Sequence, residues 1–244
     1  MTYCLGILLN EGLVLSSDTR TNAGVDQIAT FRKVTVLQDA GTAAFVLLTA
    51  GNLATSQAVI NYLTRDAGRR ESDINLFDVP NMFAAAEIVG RVLRNVLRDN
   101  AEYVKAAHAD PNAEILIGGQ IRGGRHRLFH VYSAGNFIEA APETPFVQIG
   151  ETKYGKPILD RVIEYGTPTR RAVKAALLSF DSTMRSNLSV GLPIDVVVYR
   201  KDTYRIDKQI EVTSDDRYFQ ELRRGYGEGI VGLFDALPDP KWNL

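Results

Sequence analysis

The sequence predicts an α+β fold, a four-layer αββα sandwich, on three observations. Strand-like segments come in blocks joined by short turns, the pattern of antiparallel hairpins. Helix-like segments come as a pair after the first block and again after later strands. Two sheets stacked face to face, with helices outside, cover every apolar face those segments present.

Residues 2–9 are apolar and strand-like, Asn10-Glu11-Gly12 is a turn signal, and residues 13–17 read as the returning strand. Residues 34–37 and 43–48 are two further strands around Asp39-Ala40-Gly41. A first helix carries Leu53, Val59, Ile60 and Leu63 on one face, with Thr49 or Asn52 as its cap and Gly68 at its close. Asp78-Val79-Pro80 opens a second, longer helix through Phe83, Ile88, Val92, Leu93, Val96 and Leu97. Strands return at 114–119, 128–132, 136–140 and 146–149. Thr167 caps a helix with Pro168 at its first position, and Val173, Ala176, Leu177, Phe180 and Met184 form its stripe. Residues 194–199 and 204–212 make a last hairpin. A C-terminal helix carries Tyr218, Leu222, Ile230 and Phe234 and is interrupted at Gly225, Gly227 and Gly229. With no low-complexity linker and no repeat, residues 1–244 read as one domain with a helical extension from about 213.

Composition narrows the function classes. Apolar residues at 45% and charged residues at 23% match a globular chain with a sizeable core. The net charge of −1 offers nothing for nucleic acid or an anionic membrane, and Arg122, Arg125 and Arg127 around Gly123-Gly124 read as a solvated hairpin tip. No apolar run approaches the ~20 residues of a membrane span, and the start lacks the basic region of a signal peptide. Cys4 is the single cysteine, so no intramolecular disulfide forms, and a reducing, cytoplasmic location is expected.

Familiar catalytic sets are missing. His108, His126 and His130 have no metal-ligand spacing, and there is no nucleophile elbow, phosphate loop or dinucleotide fingerprint, so no metal or cofactor is expected. The N-terminus remains. Loss of Met1 would place a hydroxyl and a free α-amine on Thr2, and that amine, with a reference pKa near ~7.7–8.0, can act as a base at neutral pH. Asp18 ends the second strand and, depending on register, returns beside Thr2. Lys33, at the start of the third strand after a polar loop, would lower the pKa of the amine, with Asp18 keeping the lysine charged. Taken singly, Asp18 also reads as a strand-end turn residue and Lys33 as an exposed strand start.

Thr2-Tyr3-Cys4-Leu5-Gly6-Ile7, then Gly12-Leu13-Val14-Leu15-Ser16-Ser17-Asp18-Thr19-Arg20, then Arg32-Lys33-Val34 closely resembles the opening of proteasome β subunits. Ala50-Gly51, Ile149-Gly150 before a Tyr-Gly helix start, and Ser189-Val190-Gly191 before the strand at 194–199 continue the likeness over about 200 residues. Met-Thr-Tyr-Cys-Leu-Gly and the long stretch at 182–193 look most like the bacterial ancestral β-subunit (Anbu) branch. The resemblance implies the N-terminal-nucleophile hydrolase form of the αββα fold. It also implies self-assembly into a ring or open spiral, and hydrolysis of a peptide or amide bond through a threonyl ester.

In that scheme Thr2 Oγ attacks, its amine takes the proton, and Asp18 and Lys33 tune it. The N–H of Gly51 stabilises the oxyanion, a type of contact worth roughly 2.7–4 kcal/mol. Asp181 and Ser189 match the family's accessory pair. The sequence departs from the family at Glu151, where proteasome subunits carry serine, and in the longer spacing from Asp181, which lets Ser186 stand in for Ser189. With no propeptide beyond Met1, activation reduces to methionine removal. Two other readings follow the same fold: a catalytically silent assembly protein, and an amidase acting on small amides. Tyr3, Thr21, Asn22 and Leu53 hint at the pocket lining, while an unfoldase partner cannot be read from the chain.

Overall fold

In the computed structural model, which describes residues 2–22, 28–106, 110–206 and 208–242, two strands are buried along their whole length, β1 (Tyr3–Leu9) and β2 (Gly12–Asp18). A strand covered on both faces reads as a continuous apolar run, because alternate side chains enter different cores. Tyr3, Leu5, Ile7 and Leu9 pack towards helices, while Cys4 and Leu8 pack towards a second sheet.

β1 and β2 sit at the centre of a five-stranded sheet with β10 (Phe146–Gly150), β11 (Ile194–Arg200) and β12 (Lys208–Val212), ordered β10-β1-β2-β11-β12. The other sheet holds β5 (Val34–Asp39), β6 (Ala43–Gly51), β7 (Ala113–Ile121), β8 (Arg127–Val131) and β9 (Phe137–Glu139) in chain order. Every pairing in both sheets is antiparallel.

Helices α1 (Leu53–Asp66) and α2 (Met82–Ala106) cover the second sheet. α3 (Lys156–Val162), α4 (Thr169–Ser186) and the start of α5 (Arg217–Ala236) cover the first. A third core, including Leu13, Leu15, Val46, Leu116 and Leu128, lies between the sheets, which completes the four αββα layers. The sheets meet closely at Gly6, where a Cβ would lie 2.9 Å from Leu128 Cδ1.

Four local expectations change. α2 starts at Met82 with the Asn81 side chain accepting from the Ala84 N–H, because residues 76–78 form a separate 3-10 turn. α4 begins after Pro168, and the Thr167 hydroxyl instead bonds within the preceding turn, to the Glu164 N–H. The last hairpin is shorter than 204–212, because Asp202 and Tyr204 take left-handed conformations that close a turn before β12. α5 runs through all its glycines. A helix glycine costs about 1 kcal/mol, which the Asp216 cap and the buried Phe219 help to offset. A short pair not expected from sequence, β3 (Arg20–Asn22) with β4 (Ile28–Thr30), occupies the polar stretch before Lys33.

Candidate active site

The register of the first hairpin puts Cys4 opposite Ser17, so Asp18 reaches back to the residue after Thr2. Asp18 Oδ1 accepts the Tyr3 N–H at 3.0 Å and the Lys33 ammonium at 2.8 Å. Lys33 Nζ also donates to the Arg20 carbonyl at 2.6 Å. Asp18 is fully buried at the end of β2 and Lys33 is 6% exposed, so Lys33 is not the exposed strand start that its position also allows. Burial pushes the Asp18 carboxyl above the usual carboxylate range. The Lys33 ammonium and the N–H groups of Tyr3 and Gly191 pull against that shift.

Thr2 is half-buried at the head of β1. Its carbonyl accepts the Glu151 N–H at 2.7 Å. Gly150 makes room for this contact: at φ +79° it is left-handed, and a Cβ there would come 2.1 Å from the Thr2 carbonyl oxygen. The neighbouring thiol is an unsuitable rival nucleophile, because full burial pushes Cys4 far above the usual thiol range.

Gly51 closes β6, at φ +96°, where a Cβ would meet the Asn112 carbonyl oxygen at 2.4 Å. Two residues earlier, the Thr49 N–H donates to the Lys33 carbonyl at 3.1 Å, which ties the end of β6 to the lysine. Asn52, one residue on, caps α1 by accepting the Thr55 N–H.

The accessory residues divide into two groups. Glu151 is buried, with Oε1 accepting the Lys153 N–H and Oε2 accepting from Asn187 Nδ2, both at 3.0 Å. Asn187 Oδ1 in turn accepts the Ser189 N–H at 3.0 Å. Asp181 is held by two arginines: its carboxylate meets Arg223 Nε at 2.5 Å and Arg185 Nε at 3.4 Å, a tie between α4 and α5. Two residues to which no sequence motif gives a role complete this region: Asn187, and Arg20, whose guanidinium donates to the Leu188 carbonyl at 2.9 Å and fills the space over Gly191. The signal for Asn187 was a polar residue at the end of a helix just before Ser-Val-Gly. Met1 and His108 lie outside the described residues, as do the side chains of Thr21 and Asn22.

The model of the family described as proteasome subunit matches residues 2–199. The chain belongs to the proteasome subunit family. Among solved structures it is similar to Anbu (ancestral beta-subunit) from Yersinia bercovieri. The two share 47% identity over 99% of this chain and 100% of that one, with a TM-score of 0.93. The Anbu complex from Pseudomonas aeruginosa, described as a helical assembly, is 46% identical over 98% of each chain, with a TM-score of 0.92. A Gly-1 mutant of Anbu from Hyphomicrobium sp. strain MC1 is 43% identical over 99% of this chain and 100% of that one, also at 0.92. A comparison with curated proteins gives no match. For this proteasome-type chain, no helix among the described residues is long and apolar enough to cross a membrane.

Proposed function

We propose that the protein hydrolyses peptide or amide bonds with Thr2 as nucleophile after removal of Met1. The observation that carries the reading is the convergence of Lys33 Nζ and the Tyr3 N–H on one buried oxygen of Asp18. It sets a cation and a fixed strand end beside the residue whose amine would serve as base. A positive charge there disfavours protonation of that amine and favours its neutral, basic form. Thr2 Oγ attacks the carbonyl, the amine takes the proton, and the Gly51 N–H stabilises the oxyanion; the amine then returns that proton to the leaving nitrogen as the C–N bond breaks. The threonyl ester is then hydrolysed by water. Glu151, held by Asn187, and the loop at Ser189 keep the Thr2 backbone in place, while Asp181 steadies α4.

The working form in this proposal is a self-assembled ring or open spiral. Its support is the helical assembly of the Pseudomonas relative, together with an exposed apolar run on α5 and beyond it. Leu233, Phe234 and Trp242 there are 64%, 75% and 76% exposed. A cytoplasmic setting accords with the single cysteine of the sequence, which leaves no intramolecular disulfide to form.

Turnover of fluorogenic peptides and of small aryl amides, wild type against Thr2→Ala, tests the reading. Peptide turnover lost in Thr2→Ala supports it, and turnover of small amides alone points to the amidase reading. A second reading, a catalytically silent assembly protein, draws on Glu151, whose two oxygens are already engaged by Lys153 and Asn187. It predicts no turnover of either substrate class alongside intact assembly.

A further inference from the structure

The turn through Glu11 closes the end of the first sheet opposite Thr2, since Leu9 pairs with Gly12 there and Gly12 pairs with Arg200 on β11. At that far end the first turns of α4 and α5 diverge over β11 and β12, leaving a cleft of about 1040 Å³. Its volume lies just above the roughly 300–1,000 Å³ of sites that hold small organic ligands. Val173, Val198, Ile210 and Tyr218 give it an apolar surface, and Ile210 and Tyr218 are 41% and 52% exposed although each is large and apolar.

The cations around this surface are Arg170, Arg200, Lys201 and Lys208. Among the described residues none of the four comes within ion-pair distance of a carboxylate, although the Thr169 hydrogen bonds, then the charges of Arg200 and Lys201, hold the Glu11 carboxyl below the usual range. The two acidic residues of the cleft are Glu11 and Asp202. Glu11 Oε2 accepts both the hydroxyl of Thr169, at 2.5 Å, and its N–H, at 3.0 Å. Asp202 Oδ1 accepts from Gln120 Nε2 at 2.8 Å. Four cations against two engaged carboxylates leave an excess of two positive charges over an apolar surface.

We infer that this cleft binds a small free carboxylate with an apolar acyl or aryl body. The body covers Val173, Val198, Ile210 and Tyr218, and the carboxylate sits among the arginines and lysines, where charge-assisted hydrogen bonds are strongest. A peptide is the poorer occupant, because the lining offers four cationic donors but only two carboxylates, each with one oxygen already hydrogen-bonded, to take its N–H groups. The site lies a strand length from Thr2, about 23 Å for seven residues, and is independent of the hydrolase reading.

Isothermal titration calorimetry of the full chain with sodium decanoate, kept below micelle formation, reads the site. Expected are saturable binding of one decanoate per chain and retention of that binding in Thr2→Ala. Affinity should fall about tenfold or more for 1-decanol and for the double variant Arg170→Gln/Arg200→Gln, whose side chains are exposed and leave the fold intact. Equal affinity for decanol, or undiminished binding in the double variant, would overturn the inference. So would no saturable binding of decanoate, or tighter binding of an acetylated Leu-Val-Leu peptide with a free carboxylate.

Discussion

Lys33 donates to Asp18 Oδ1 over 2.8 Å with both side chains withdrawn from solvent. Such a pair is costly to bury, and breaking it by removing one partner leaves a lone charge inside, at roughly 3–5 kcal/mol. The pair therefore carries two separable effects, one on stability and one on the neighbouring Thr2.

Lys33→Met separates them. The single variant should lose turnover by about 10²-fold or more and unfold at lower denaturant, because Asp18 is stranded. Adding Asp18→Asn should recover much of the stability without recovering turnover. Urea unfolding and peptide hydrolysis on the three variants check this. Recovery of activity along with stability would mean the pair is only structural.

Asn187 tests the loop that frames Thr2. Asn187→Ala removes a buried hydrogen bond to the Glu151 carboxylate, worth about 1.5–3 kcal/mol, and should lower kcat more than it raises KM. Asn187→Asp sets a second carboxylate within reach of Glu151. Its turnover should fall at least as far as that of Asn187→Ala, because two carboxylates now face each other where an amide donated to one. Wild-type kcat in both variants would contradict the role given to Asn187.

Glu139 governs part of the acid stability. Its carboxylate takes both Arg127 Nε, at 2.7 Å, and Arg127 Nη2, with Arg125 at 3.2 Å. The Arg127 hydrogen bonds, then the charges of Arg127 and Arg125, hold its carboxyl below the usual range. A carboxyl whose folded pKa is depressed contributes stability above its unfolded pKa of about 4.3, and loses it as pH falls through the lower folded value. Glu139→Gln should therefore unfold about 2–4 °C earlier than wild type at pH 7, for a pair worth about 1 kcal/mol. The difference should close as pH drops below about 4, as thermal unfolding followed by circular dichroism would show.

The outer half of α5 should matter for assembly and little for the monomer. Phe234→Glu and Leu233→Glu alter side chains that are 75% and 64% exposed, so the monomer should stay within about 0.5 kcal/mol of wild type. Sedimentation velocity should show large species in the wild type and small ones in the variants. Unchanged assembly in both would remove α5 from the interface.

The chain's own order made some of this legible and hid the rest. Asp18 and Lys33 could be placed near Thr2 because one hairpin and the next strand bring them back, and the register that was left open is the one that joins Asp18 to Tyr3. The two-faced burial of β1 and β6 was visible as unbroken apolar runs. Asn187 was not visible, since its role exists only where the loop after α4 meets the loop after β10, 36 residues away in sequence. The partners of Asp181, Arg185 on the same helix and Arg223 on α5, were likewise hidden, since the second lies 42 residues further along the chain. Glycines suggested a broken last helix because propensity counts residues singly, whereas the Asp216 cap and the contact of Phe219 with the α4 core act on the helix as a whole.

Intact mass before and after incubation with a threonine-reactive β-lactone tests the central claim most directly. The account predicts a chain lacking Met1 that gains one adduct, with none on Thr2→Ala and little on Lys33→Met. A chain that has lost Met1, is folded and assembled, and takes no adduct would contradict it.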